Sequence, residues 1–185
     1  MIEGNEVRSL LLLGSMNETA QIKALEQKIE ALISEKPGFF LVDIKISPSN
    51  NVRVFLDADQ GINIDELVQI NRSLYKQIIE SGIFPGNDFS LEVSSPGLDE
   101  PLKILRQYLK NIGKNLEVLR KDGIKTEGKL MAVTESSVVV EEEKARLTGN
   151  NKKNEVGQGK NKKKEYVEHI IPFENIKSSK IQIKF

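Results

Sequence analysis

Nine residues, Ser94-Ser95-Pro96-Gly97-Leu98-Asp99-Glu100-Pro101-Leu102, divide the chain. Two prolines fix φ and remove two backbone donors, and Gly97 permits a positive φ. Neither a helix nor a central strand runs easily through such a string. Its small polar residues favour a defined turn over a floppy linker. The hydrophobic period also differs on its two sides. Before it, helical and strand patterns take turns; after it, beyond one short helical stretch, only strand patterns remain. The sequence therefore predicts two small domains within 185 residues.

The first domain is expected over residues 17–99. Ile22, Leu25, Ile29, Leu32 and Ile33 recur at three- and four-residue steps, which puts them on one helix face. Ser15 or Asn17 can cap its start, Ser15 with Glu18 has capping-box spacing, and Pro37-Gly38 stops it. Residues 1–16 are read as an unassigned N-terminal extension, with Met16 as an alternative start. The period then changes to two. Phe40, Val42, Ile44 and Ile46 oppose Asp43 and Lys45; after the turn Pro48–Asn51, Val52, Val54 and Leu56 oppose Arg53, Phe55 and Asp57. This predicts a hairpin with one buried face. A second helix is capped by Asn63 with Glu66, carries Leu67, Ile70, Leu74 and Ile78, and ends at Ser81-Gly82. Phe89, Leu91 and Val93 give a third strand. The class is α+β, in the order α-β-β-α-β, with two helices covering a three-stranded sheet.

Residues 100–112 are expected to connect the domains. Asp99 can cap a short helix there carrying Leu102, Leu105 and Leu109. From residue 113 the signals are all β. Strands are predicted from Leu116, over Thr126–Val133, Ser137–Glu141, Tyr166–Ile171 and Lys177–Phe185. Asp122-Gly123 is a hairpin turn, and Gly128 marks a bulge or sharp bend. Five short strands favour a small barrel over residues 113–185, because closure removes exposed edges.

A basic insertion interrupts this barrel at residues 144–165. Lys144, Arg146, Lys152, Lys153, Lys160, Lys162, Lys163 and Lys164 face only Glu155 and Glu165. So few apolar residues cannot offset ordering entropy, so the tract reads as a mobile loop. Its lysines can bind phosphates as point charges, with little sequence specificity. A solvated loop that aids solubility is the plainer alternative. Only Tyr166 borders the lysines, so base stacking is not predicted within the tract.

The formal net charge of zero hides this asymmetry. Residues 1–101 hold 8 Lys/Arg against 16 Asp/Glu, a net −8; residues 102–185 hold 19 against 11, a net +8. There is no cysteine, which excludes disulfides and thiolate metal sites. The one histidine, His169, has no triad partner in sequence. Asp57, Asp59, Asp65 and Glu66 resemble a calcium loop, but Gly61 is misplaced and Val68 stands at the twelfth position. Neither catalysis, nor a metal, nor a cofactor is expected. No apolar run approaches the roughly 20 residues of a membrane span, and Leu10–Leu13 is too short for a signal peptide. The expectation is a cytoplasmic protein without membrane association.

Taken alone, the dividing string is a well-made interdomain turn. Leu91-Glu92-Val93-Ser94-Ser95-Pro96-Gly97-Leu98-Asp99, followed by Pro101-Leu102, also resembles the signature of the bacterial ribosome maturation factor RimP family. Val54-Phe55-Leu56-Asp57, Gly61, Ile64-Asp65-Glu66, Gly113, Gly128-Lys129-Leu130 and Ile171-Pro172-Phe173-Glu174-Asn175-Ile176 agree with it, over residues 17–185. The resemblance implies that the second domain is an Sm-like or SH3-like β-barrel. It implies a monomeric, non-enzymatic factor for assembly of the small (30S) ribosomal subunit. Such a factor would bind free small subunits and their rRNA, and help a decoding-centre ribosomal protein into place. Ser94, Ser95, Pro96, Gly97, Leu98, Asp99 and Pro101 are then candidate binding residues. Glu100 stands where the family usually has Arg, and the 144–165 tract is longer than the usual loop. The competing expectation is a general RNA-binding module built from a small barrel and a lysine-rich loop.

Overall fold

The computed structural model describes residues 3–97, 100–144 and 165–182, with side chains from residue 18 onward. They fall into two compact units, Met1–Gly97 and Leu98–Phe185.

The first unit runs α1 (Glu3–Ile33), β1 (Phe39–Ile46), β2 (Asn51–Ala58), α2 (Ile64–Ser81) and β3 (Ser90–Ser94). The helix expected to begin at residue 17 begins at Glu3, so Ser15 and Asn17 are interior to α1 and do not cap it. The physical reason is the absence of a stop. Residues 3–16 contain no proline, Leu10–Leu13 are good helix formers, and single glycines such as Gly14 weaken a helix without breaking it. The capping box at the start of α2 is present: Glu66 N–H donates to Asn63 Oδ1 at 2.8 Å, and Asn63 N–H to Glu66 Oε2 at 3.2 Å. Gly82 ends α2 with φ +62°.

β2 is central, antiparallel to β1 and parallel to β3. The parallel pairing requires a crossover, which α2 supplies. Leu25 and Ile29 of α1 pack with Ile70, Leu74 and Ile78 of α2 against Val52, Val54 and Leu56. The predicted inward face of β1 needs correction. A bulge between Leu41 and Asp43 lets Leu41 pair with Leu56 and Ile44 with Val54. The extra residue shifts the two-residue period by one. Phe39 and Leu41 therefore join Ile44 and Ile46 against the helices, while Phe40 and Val42 are buried outside that cluster.

The second unit contains α3 (Leu105–Lys110), β4 (Asn115–Arg120), β5 (Lys125–Val133), β6 (Ser137–Lys144), β7 (Glu165–Pro172) and β8 (Ile176–Gln182). The five strands form one antiparallel sheet in the order β7-β6-β5-β4-β8. Its end strands are consecutive in the chain, joined only by a 3-10 turn at Phe173–Asn175. That short link brings the two ends of the sheet together, as in a small barrel. Leu116, Val118, Leu130, Val138, Val140 and Ile171 fill the core with Tyr108. Gly128 sits where β5 meets β6. A β-carbon built on it would fall 2.7 Å from the Glu141 carbonyl carbon and 3.0 Å from Glu142 N.

Candidate functional site

The dividing string is shared between the units. Ser94 is the last residue of β3 and pairs with Phe55. Ser95, Pro96 and Gly97 follow in irregular backbone, and Leu98 and Asp99 lie outside the described residues. Leu102 belongs to the second unit. Its N–H donates to Ser179 O of β8 at 2.8 Å, and its side chain packs on the second core.

This anchored segment changes the expected helix. Leu102 lies in irregular backbone ahead of the helix, and α3 starts at Leu105. The two backbone N–H groups just ahead of the helix are met from inside it: Lys103 N–H donates to Gln107 Oε1 at 2.7 Å, and Ile104 N–H to the same oxygen at 3.3 Å. Gln107 thus supplies the N3 side of a capping arrangement, and the helix begins too late in the chain for Asp99 to stand at its N-cap. The buried face of α3 is also polar. Gln107, Tyr108 and Asn111 are buried, whereas Leu105 and Leu109 are exposed. Asn111 Nδ2 donates to Gln107 O at 2.7 Å, and the Tyr108 and Ser179 hydroxyls meet at 2.5 Å. Satisfied hydrogen bonds let these polar groups take the interior.

Two motifs remote in sequence meet beside α3. Pro101 and Leu102, from the end of the dividing string, and Phe173 and Ile176, from the Ile171–Ile176 string, line one pocket of about 420 Å³, together with Leu105. Lys103, Lys177 and Glu135 supply its charge. Phe173 is half-buried and braced edge-on by Tyr108, with ring centroids 5.0 Å apart at 69°. Sequence reasoning missed Lys103, Tyr108 and Lys177 as neighbours of these motifs. The signal available to it was the pair of apolar-proline strings, which only the fold brings together.

Burial raises the Tyr108 pKa above the ordinary tyrosine value, and the Ser179 hydrogen bond opposes this in part. A raised folded value means that the neutral phenol contributes its full stability below about pH 10, and that this is lost as pH rises through the folded pKa. Tyr108→Phe is therefore expected to cost about 1 kcal/mol at pH 7, leaving the buried Ser179 hydroxyl unpaired. The gap between the two proteins should shrink above pH 10. Urea unfolding of both at pH 7 and at higher pH checks this; a gap that widens with pH contradicts it.

The basic tract joins β6 to β7 at the loop end of their hairpin. Lys144 and Glu165, expected in the loop, are instead its last strand pair. The ladder gains extra pairs because Glu142 and Glu143 continue β6 opposite Val167 and Tyr166. Lys144 is exposed on β6, whereas Arg146, Lys152, Lys153, Lys160, Lys162, Lys163 and Lys164 lie outside the described residues. Near the hairpin end His169 Nε2 and Glu142 Oε2 stand 2.8 Å apart, a cross-strand contact. On a nearby strand pair Lys125 bridges Glu117 at 3.1 Å and Glu127 at 2.7 Å. Its hydrogen bonds raise the Lys125 pKa, and its bond to Glu117 lowers that carboxyl's. Among the described residues, no group of three or more His, Asp or Glu is placed to hold a metal ion. No helix among them is long and apolar enough to cross a membrane.

A family model described as the RimP N-terminal domain matches residues 28–99. The ribosome maturation factor RimP of Cytophaga hutchinsonii is 40% identical over 131 residues, which cover 69% of this chain and 78% of that protein. The chain belongs to the RimP family of ribosome maturation factors. RimP of Christiangramia forsetii is 30% identical over 161 residues, 87% of this chain and 97% of that protein. RimP of Flavobacterium psychrophilum is 35% identical over 123 residues, 64% of this chain and 76% of that protein. The matched N-terminal domain of RimP corresponds to the greater part of the first unit here. The 97% coverage of the Christiangramia RimP extends the similarity into the second.

Proposed function

We propose that the chain promotes maturation of the small ribosomal subunit in the cytoplasm, as a monomer and without catalysis. It binds free small subunits and helps a decoding-centre ribosomal protein into place. The observation that carries this reading is similarity across nearly the whole length of a ribosome maturation factor RimP. The charge distribution supports it. The first part of the chain, net −8, is suited to a basic ribosomal protein; the 144–165 tract, with 8 basic and 2 acidic residues, is suited to rRNA phosphates. In this reading Ser94, Ser95, Pro96, Gly97, Leu98, Asp99 and Pro101 are also binding residues. To promote a step and then leave, the factor must bind immature particles more tightly than mature ones.

The basic tract also favours a second reading, a general RNA-binding module. Competition separates the two. Small subunits, large subunits and bulk RNA are each titrated against the labelled protein. Small subunits are expected to compete best, and equal competition by all three would overturn the proposal.

A further inference from the structure

We infer that the surface where the open edge of β3 meets the exposed face of α2 takes up an extended, basic peptide segment as an added strand. This rests on the ribosome-maturation reading only for the source of the segment, a basic ribosomal protein. Leu67, Ile70, Leu74 and Ile78 bury one face of α2. Ile64, Val68, Tyr75 and Ile79 recur at helical spacing beside them, and all four are exposed. The remaining face carries Gln69, Ser73, Lys76 and Glu80, as a solvated helix surface does. Apolar residues scattered singly on a surface need no explanation; a stripe along one flank of a helix does.

Tyr75 fixes which flank this is. Its ring lies 5.1 Å from that of Phe89, the residue before β3. The stripe therefore borders β3, and β3 is an end strand. It pairs with β2 and, among the described residues, with no strand on its other side. Leu91 and Val93 pair with Val52 and Val54 and pack with them against the helices. Val52 and Val54 are buried, whereas Leu91 and Val93 are half-buried, because β3 has a neighbour on one side only. An added strand would cover both and bring its inward side chains against Val68 and Tyr75.

These features choose the occupant. An open strand edge offers main-chain donors and acceptors in a row, which an extended backbone matches. The apolar stripe suits alternate apolar side chains on such a strand. Charge decides the rest. Lys76 bridges Glu80 at 3.8 Å and Arg53 bridges Glu92 at 3.4 Å, so these four cancel. Asp65, Glu66 and Asp88 then stand against Arg72, a net −2 over residues 63–94. A basic segment is attracted, and RNA phosphates are repelled. A second copy of the chain fits less well, since antiparallel pairing of β3 with itself about its centre would set Glu92 opposite Glu92. β1, the other end strand, carries a bulge, a feature that blunts an edge.

The test uses the full chain, isotope-labelled, titrated with a synthetic peptide of alternating lysine and valine long enough to match the five residues of β3. Saturable shifts are expected at Val68, Tyr75, Leu91 and Val93, with amide-exchange protection gained within Ser90–Ser94. Two further peptides, N-methylated at every valine or at every lysine, block opposite edges of the added strand. One of the two should bind about 10-fold more weakly than the other through lost main-chain hydrogen bonds. Val68→Gln, at an exposed position that leaves the core intact, should weaken binding of the parent peptide about 5-fold. Asp88→Asn should weaken it about 2-fold at low salt and leave it unchanged at high salt. Shifts confined to residues outside α2 and β3 overturn the inference, and so does equal binding of the two N-methylated peptides. Tighter binding of a peptide with glutamate for lysine, or of a short single-stranded oligoadenosine, also overturns it. Self-association of the free chain through β3, seen as a dimer in sedimentation with its amides already protected, would make a second copy the occupant instead. The two readings fail separately. Peptide binding at β3 by a chain with no preference for small subunits counts against the function alone. Preference for small subunits with no peptide shifts at β3 counts against this surface alone.

Discussion

Gly128→Val is expected to destabilise the second unit by about 3 kcal/mol or more, a large fraction of what holds a small domain together. The reason is steric. The β-carbon that any other residue would carry lies 2.7 Å from the Glu141 carbonyl carbon and 3.0 Å from Glu142 N, and closer still to the Glu141 oxygen. These are backbone atoms of the neighbouring strand, so no side chain can swing away. Relief requires moving β6, and β6 is pinned on both sides: Lys129 pairs with Glu141 on one, and Glu141 with Glu168 on the other. Gly128 itself pairs with Leu116, one of the fully buried residues of this core. Displacement would therefore open the core as well as the ladder. Gly128→Ala places the same β-carbon and should carry much of the same cost. Urea unfolding followed by residue-resolved amide exchange checks this. Protection is expected to fall across β4–β8 while Leu25, Leu74 and their neighbours in the first unit keep theirs. An unchanged unfolding midpoint would show that the strands part more easily than their pairing implies.

The effect at Gly128 also marks where sequence reasoning reaches its limit. A glycine inside a strand pattern announced a bulge or bend at Gly128; the register irregularity of β5 falls instead between Leu130 and Ala132, and Gly128 is a point of close backbone approach. What the sequence could not supply was the partner, because the crowding atoms belong to residues 141 and 142. The same division recurs elsewhere. The Asn63–Glu66 capping box, the Gly82 stop and the turn at Gly123, with φ +87°, were legible because each is complete within a few residues. The inward face of β1 was misread because its bulge depends on the register with β2. The inward face of α3 was misread because hydropathy places Leu105 and Leu109 inside. The hydrogen-bonding needs of residues 103 and 104, and of Ser179, instead place Gln107 and Tyr108 there. The pocket was invisible for the strongest form of this reason. Pro101-Leu102 and Phe173–Ile176 are far apart in the chain, and each string alone reads as a turn.

Deleting residues 152–164 should leave both units folded and weaken association with small subunits about 10- to 100-fold near physiological salt. Folding should survive because the hairpin ladder closes on Lys144 and Glu165, outside the deleted stretch. Seven residues, 145–151, would remain to join those strands in place of twenty. Shortening a flexible closure by that ratio lowers its entropy cost by about 1 kcal/mol, so thermal stability should rise slightly rather than fall. Loss of cooperative unfolding would mean that the tract packs on the barrel. For association, the deletion removes six lysines and one glutamate. Each lysine that sits on a phosphate releases counterions. Removing one such lysine should therefore reduce the slope of log affinity against log salt by about 0.7–0.9. If about three of the six sit on phosphates, the slope should fall by about 2, and the variant and the parent should converge at high salt. A second variant separates charge from length. With Lys152, Lys153, Lys160, Lys162, Lys163 and Lys164 all changed to Gln, the chain keeps its loop and loses the cations. If charge is what the tract contributes, this variant should match the deletion in both affinity and slope. If it binds like the parent, the tract acts through its length or through its remaining residues. The net charge of its lysines would then have no part in how the chain meets rRNA.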